Sequence, residues 1–113
     1  MSKQNELYIT RGDSYSLTVI IKDQDGNVLE LEQEDTVYFT VKKSTETSTI
    51  ALQKIITSFT EEGYCNIEIE PQDTKEFRYG NYVYDIQVSY ANGNVLTIIK
   101  PSRLIIGEEV TYD

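Results

Sequence analysis

The sequence predicts an all-β fold, an antiparallel sandwich of two sheets, and three observations carry that prediction. Apolar and polar residues alternate at period two through several short runs, the mark of half-buried strands. Val, Ile, Thr and Tyr are heavily used, with nine tyrosines and no tryptophan, which suits pleated, half-buried surfaces. Turn residues separate the runs at short spacing, as a sandwich requires. With 113 residues the chain lies near the commonest domain size, so 1–113 is read as one domain with one core. Its ends, residues 1–6 and 108–113, are expected to be flexible.

A first short strand is expected at residues 7–10. The next is the clearest, with Tyr15, Leu17, Val19 and Ile21 interleaved with Ser14, Ser16 and Thr18. Asp25-Gly26-Asn27 then reads as a turn, followed by a short strand at 28–31. Val37, Phe39 and Val41 alternate with Thr36, Tyr38 and Thr40. Residues 44–49, rich in hydroxyls and lacking periodicity, are read as an exposed loop before a strand at 50–56. Cys65, Ile67 and Ile69 then alternate with Asn66, Glu68 and Glu70.

One segment leaves the strand pattern. Pro71 follows a strand, and Asp73 to Glu76 has capping-box spacing, which predicts a helical turn near residues 72–78. Phe77 points from it into the core, and Gly80 supplies a positive φ for the exit. The chain then crosses between sheets into an inner row of Tyr82, Tyr84, Ile86 and Val88. Such a corner before a Tyr-rich strand is the one a tyrosine ties down in immunoglobulin-like sandwiches, and Tyr82 is the candidate here. The fold expected is therefore an immunoglobulin-like antiparallel β-sandwich of about 7–9 strands. Strand order does not follow from turns alone.

Strands at 95–100 and 103–106 complete the chain. A two-residue Asn92-Gly93 turn sets Val88 opposite Thr97, Ile86 opposite Ile99 and Asp85 opposite Lys100. A three-residue turn with Gly93 as a bulge sets Val88 beside Leu96 and Ile86 beside Ile98. Burial favours the bulged form; the Asp85 to Lys100 pair favours the other. The first register leaves Leu96 with Ile98 outward and the second Val95 with Ile99, so Val95, Leu96, Ile98 and Ile99 are the candidate interface.

Ten basic residues against nineteen acidic ones give a net charge of −9, a field that repels a phosphate backbone, so nucleic acid is not an expected partner. The chain has no histidine and so lacks the commonest general base and transition-metal ligand. No phosphate-binding glycine loop or metal cluster is seen, and Glu61-Glu62 and Glu108-Glu109 point to opposite faces of an extended chain. No catalytic, cofactor-binding or metal residue is expected, nor a cofactor; the chain is read as not an enzyme. Asp23 to Asn27 resembles the start of a calcium loop, but its glycine comes early and no closing glutamate follows. Arg11-Gly12-Asp13, a tripeptide of adhesive loops, is read as a tight turn. Cys65, the single cysteine, is read as a buried small hydrophobe. Residues 1–6 lack a signal peptide's apolar stretch and no window is long enough to span a bilayer, so the chain is expected to be made in the cytoplasm with no membrane partner. Sugar binding is an alternative, because Tyr38, Tyr64, Tyr79 and Tyr90 remain for stacking once Tyr15, Tyr82 and Tyr84 are placed inward.

Arg11-Gly12-Asp13-Ser14 leading a strand, Val37 to Lys43, Ile69-Glu70-Pro71-Gln72-Asp73-Thr74, and Tyr79-Gly80-Asn81-Tyr82 through Val88 resemble the small immunoglobulin-like structural proteins of phages and prophages of low-GC Gram-positive bacteria. The layout is also similar to the N-terminal domain of phage baseplate upper proteins, over residues 7–110. The chain departs from those in being one short domain with no helical extension or receptor-binding part. The resemblance implies a virion component of tail, baseplate or head, made in the bacterial host cytoplasm and then carried in the virion. Its implied partners are other virion proteins or further copies of itself.

Overall fold

The computed structural model describes residues 5–22, 25–28, 31, 34–59 and 64–110. Seven strands and one short helix follow one another among them: β1 (Leu7–Thr10), β2 (Tyr15–Ile20), β3 (Thr36–Lys42), β4 (Leu52–Ile56), β5 (Tyr64–Ile69), α1 (Pro71–Thr74), β6 (Gly80–Ser89) and β7 (Val95–Gly107). The protein is all-β. A five-stranded sheet in the order β1-β7-β6-β3-β4 curls in a half-barrel with a two-stranded sheet, β2-β5. Every pairing is antiparallel except β1 with β7, where Leu7 lies opposite Leu104 and Thr10 opposite Gly107. Parallel neighbours need a long connection, and here the rest of the fold supplies it.

The alternating runs bury the faces their spacing implies. Val37, Phe39 and Val41 of β3 and Tyr82, Tyr84, Ile86 and Val88 of β6 face Val19 and Ile21 from the β2 run and Cys65, Ile67 and Ile69 of β5. Phe39 is fully buried and its ring lies 5.5 Å from that of Tyr84. Truncating such a side chain to Ala typically costs about 3–5 kcal/mol, because the cavity adds to the lost transfer energy.

Three expectations need correction. The helix is shorter than 72–78: it spans Pro71–Thr74, with Glu70 as the N-cap in extended conformation and Pro71 in the first turn. The cap lies three residues before the expected one, because the Asp73 carboxylate accepts the Glu70 N–H at 2.8 Å instead of starting the helix itself. The strands expected at 95–100 and 103–106 are one continuous β7. Pro101 does not interrupt it, since among the described residues that part of β7 is bonded only to β6 and the register shifts beside it, a setting in which a missing N–H is tolerated. For the strand expected at 28–31, Val28 makes only an isolated bridge with Lys22, and residues 29–30 lie outside the described residues.

The corner between the sheets is tied as expected. Gly80 takes φ of 129°, and the Tyr82 hydroxyl donates to the Arg78 carbonyl at 2.9 Å. Phe77 packs against the Tyr82 ring at 4.9 Å, and the Lys43 ammonium sits 4.6 Å above it. Lys54 reaches from β4 to Asp73 at 2.7 Å. Burial pushes the Asp73 carboxyl up, but the Lys54 ammonium and the Glu70 N–H together hold it below its ordinary value. Of the ends expected to be flexible, the described parts are tethered: the Asn5 carbonyl accepts the Tyr84 hydroxyl, and Glu109 pairs with Arg11. Residues 1–4 and 111–113 lie outside the described residues.

Candidate interaction interface

The last hairpin uses both registers in turn. Gly93 N–H bonds the Tyr90 carbonyl at 2.9 Å and Tyr90 N–H bonds the Asn94 carbonyl at 2.8 Å, with Gly93 at φ of 93°. That is the three-residue turn with a glycine bulge, and it sets Val88 opposite Leu96 and Gln87 opposite Thr97. The register then shifts, so Ile86 meets Ile99, as in the two-residue form. Ile98 is the extra residue.

This mid-strand shift redistributes the four candidate interface residues. Leu96 and Ile99 both stand opposite buried residues of β6, so the outward pair of Val95 with Ile99 does not form. Nor does Leu96 with Ile98, because the bulge at Ile98 intervenes. Val95 alone stands outward, 60% exposed, while Leu96, Ile98 and Ile99 line a groove of about 570 Å³ between β7 and β2. Its opposite wall is residues 17–20, and Asn5, Leu7 and Tyr84 form its floor. Burial, and then the neighbouring Tyr15, push the Tyr84 hydroxyl up to about 12, so it serves as a donor to Asn5 at neutral pH. The β2 wall was not anticipated. Its signal was Ile20, an apolar residue in the otherwise polar outward row of Ser16 and Thr18.

Arg11-Gly12-Asp13 forms the turn expected of it, closed by Asp13 N–H to the Thr10 carbonyl at 3.1 Å, with Gly12 at φ of 85°. Arg11 is held inward. Its Nε donates to Glu109 at 2.8 Å, its Nη1 to the Phe77 carbonyl at 3.2 Å, and the guanidinium lies 4.4 Å from the Tyr79 ring centroid. Gly12 N–H donates to the Thr74 hydroxyl at 2.8 Å. The turn thus joins β1, the helix, the corner and the segment after β7, and the arginine is not presented as an adhesive loop would present it.

The tyrosines expected to be free are only partly so. Tyr79 is 40% exposed, Tyr38, Tyr64 and Tyr90 are half-buried, and Tyr8, which the periodicity did not single out, is 60% exposed. Tyr8 lies across Gly107, where a Cβ would fall 2.0 Å from its hydroxyl. Tyr8 and Tyr79 flank a shallow cleft that Ile105, Gly107 and Glu108 complete.

On the outer face of the five-stranded sheet, Asp85 lines a depression of about 290 Å³ with Thr40, Lys42, Gln53 and Gln87. Burial raises the Asp85 carboxyl above its ordinary value and the Lys42 charge opposes the rise. A single carboxylate beside a lysine does not make the acid and base couple that two carboxyls of separated pKa provide. Burial pushes the Cys65 thiol up to about 11, which keeps it protonated and unreactive at neutral pH. Among the described residues no three acidic, cysteine or histidine side chains come together as metal ligands, and no helix is long and apolar enough to cross a membrane.

Compared with known proteins, the chain matches no protein-family model and no curated relative.

Proposed function

We propose that this chain is an immunoglobulin-like sandwich serving as a non-catalytic structural module of a bacteriophage or prophage particle, in the tail, baseplate or head, through protein–protein contacts. The observation that carries the assembly reading is the upper half of β7, where Val95, Leu96, Ile98 and Ile99 stay at least half exposed or line an open groove. Apolar groups left accessible on a small acidic domain mark a contact surface. The immunoglobulin-like part rests on the strand order, five against two, and on the corner tyrosine, Tyr82. The virion part rests on the resemblance carried by residues 69–74 and 79–88.

Light scattering of the purified chain over a concentration series at two salt levels tests the assembly reading. Masses at multiples of 13.0 kDa, or a complex with a co-expressed virion protein, are expected. A strict monomer that binds none of the virion proteins co-expressed with it refutes the proposal.

A second reading, a carbohydrate-binding or adhesion domain for the bacterial surface, draws on the two exposed rings of Tyr8 and Tyr79 beside Gly107. Flat rings on a sheet offer apolar faces to a sugar. A glycan array whose signal disappears in Tyr8→Ala would favour it; silence across the array would remove it.

A further inference from the structure

The two sheets stay apart along one side of the half-barrel, and the walls of the resulting groove are strand edges. Side chains of a strand alternate between faces, so four successive residues share a cavity only through the edge of the backbone. Residues 17–20 of β2 do so, and 96–99 of β7 line the same groove across the bulge at Ile98. Among the described residues β2 is bonded only to β5. Among the described residues the first part of β7 is likewise bonded only to β6, because β1 pairs with residues 104–107. Bare edges of this kind are templates for another extended chain. A helix, whose main-chain groups are satisfied internally, would leave both edges unpaired. The groove wall is apolar at Leu17, Leu96 and Ile99, with the exposed Ile20 at its rim. Among the described residues the one charged side chain lining it is Lys22. A lysine in the groove lining of a chain of net charge −9 suits a segment that carries carboxylates.

We propose that this groove accepts an extended segment of a partner protein, apolar at alternate positions and flanked by acidic residues, which adds as a strand between β2 and β7. The proposal rests on the assembly reading above and names its mode.

The probe is a synthetic peptide alternating Val and Thr with Asp at each end, capped at both termini. Its control carries Pro at the central position. Titrated into isotope-labelled protein, the probe is expected to shift the amides of residues 17–20 and 96–99 and slow their hydrogen exchange about tenfold or more at saturation. Ile20→Lys with Leu96→Lys, both at exposed positions, should keep the circular dichroism spectrum and weaken binding at least about tenfold. Lys22→Glu should weaken it and flatten its salt dependence. Equal binding by the proline control, shifts confined to another face, or unchanged exchange at both edges would overturn the proposal. So would the same amides protected in a dimer without peptide, which would make a second copy the occupant. If the peptide fails while association survives Ile20→Lys with Leu96→Lys, the strand-acceptor idea falls and the assembly reading stands. If the peptide binds but the chain stays a strict monomer and binds no virion protein, the assembly reading falls instead.

Discussion

Replacing Arg11 by Met keeps most of the side-chain stem and removes the guanidinium that ties its turn to the corner and to the segment after β7. The change deletes the pair with Glu109 at 2.8 Å, the bond to the Phe77 carbonyl at 3.2 Å and the stack on Tyr79 at 4.4 Å. The two side chains of the ion pair are only 20% and 11% exposed, so solvent screens the pair little, and Glu109 would be left without its counter-ion. Breaking a largely buried pair from one side costs about 3–5 kcal/mol. The carbonyl bond contributes about 1 kcal/mol and the ring contact about 0.5–1 kcal/mol. These overlap, because one desolvated group makes all three, and a total near 4 kcal/mol is expected. That is a large share of the roughly 5–15 kcal/mol by which such domains are stable. Urea unfolding followed by far-ultraviolet circular dichroism reads it directly, with the m-value unchanged. Adding Glu109→Gln should recover part of the loss, with a coupling of about 1–3 kcal/mol in the double-mutant cycle. A loss under about 1 kcal/mol with no coupling would mean the contact behaves as an ordinary surface ion pair, and the reasoning fails.

Tyr82→Phe keeps the ring packed on Phe77 but orphans the Arg78 carbonyl, so a urea midpoint corresponding to about 1–2 kcal/mol less stability is expected; no change would mean the corner does not need its hydroxyl. Gly107→Ala places a Cβ 2.0 Å from the Tyr8 hydroxyl and must turn that ring off the sheet; the thermal midpoint should fall in the wild type and not in a Tyr8→Ala background. Alkaline pH should also destabilise the fold. Burial holds the Cys65 thiol at about 11 in the folded chain against an ordinary value of 9.0 when unfolded, so the protonated, folded form is favoured fully below pH 9.0 and the advantage is lost as pH rises to about 11. Two pKa units amount to about 2–3 kcal/mol. Tyr84 extends the loss from pH 10.0 to about 12. Cys65→Val should flatten the first part of the pH–stability curve, and an identical curve would refute the assignment.

Period-two alternation placed β2, β3, β5 and β6 within a residue or two of where they lie, because one face of each strand is buried and the sequence must record which. Pro71, Phe77, Gly80 and Tyr82 likewise announced the corner, since each has a backbone or packing role that few other residues fill. The buried Cys65 and the inward Tyr84 follow from the same pattern. Residues that face water leave a weaker record. Tyr8 could not be told from a core tyrosine until β1 was seen lying beside β7 with Gly107 under its ring.

What the sequence by itself determined is therefore local: which residues are strands, which face is apolar and where the chain turns. Tertiary structure alone decided the strand order, the parallel docking of β1 on β7, the inward locking of Arg11 and the groove between β2 and β7. The reason is physical. Periodicity encodes a strand's buried face, whereas its neighbour is chosen by main-chain edges that are the same in every residue. A register shift such as the one at Ile98 is a property of two paired strands, an extra residue on one against its partner, so neither strand's own periodicity records it.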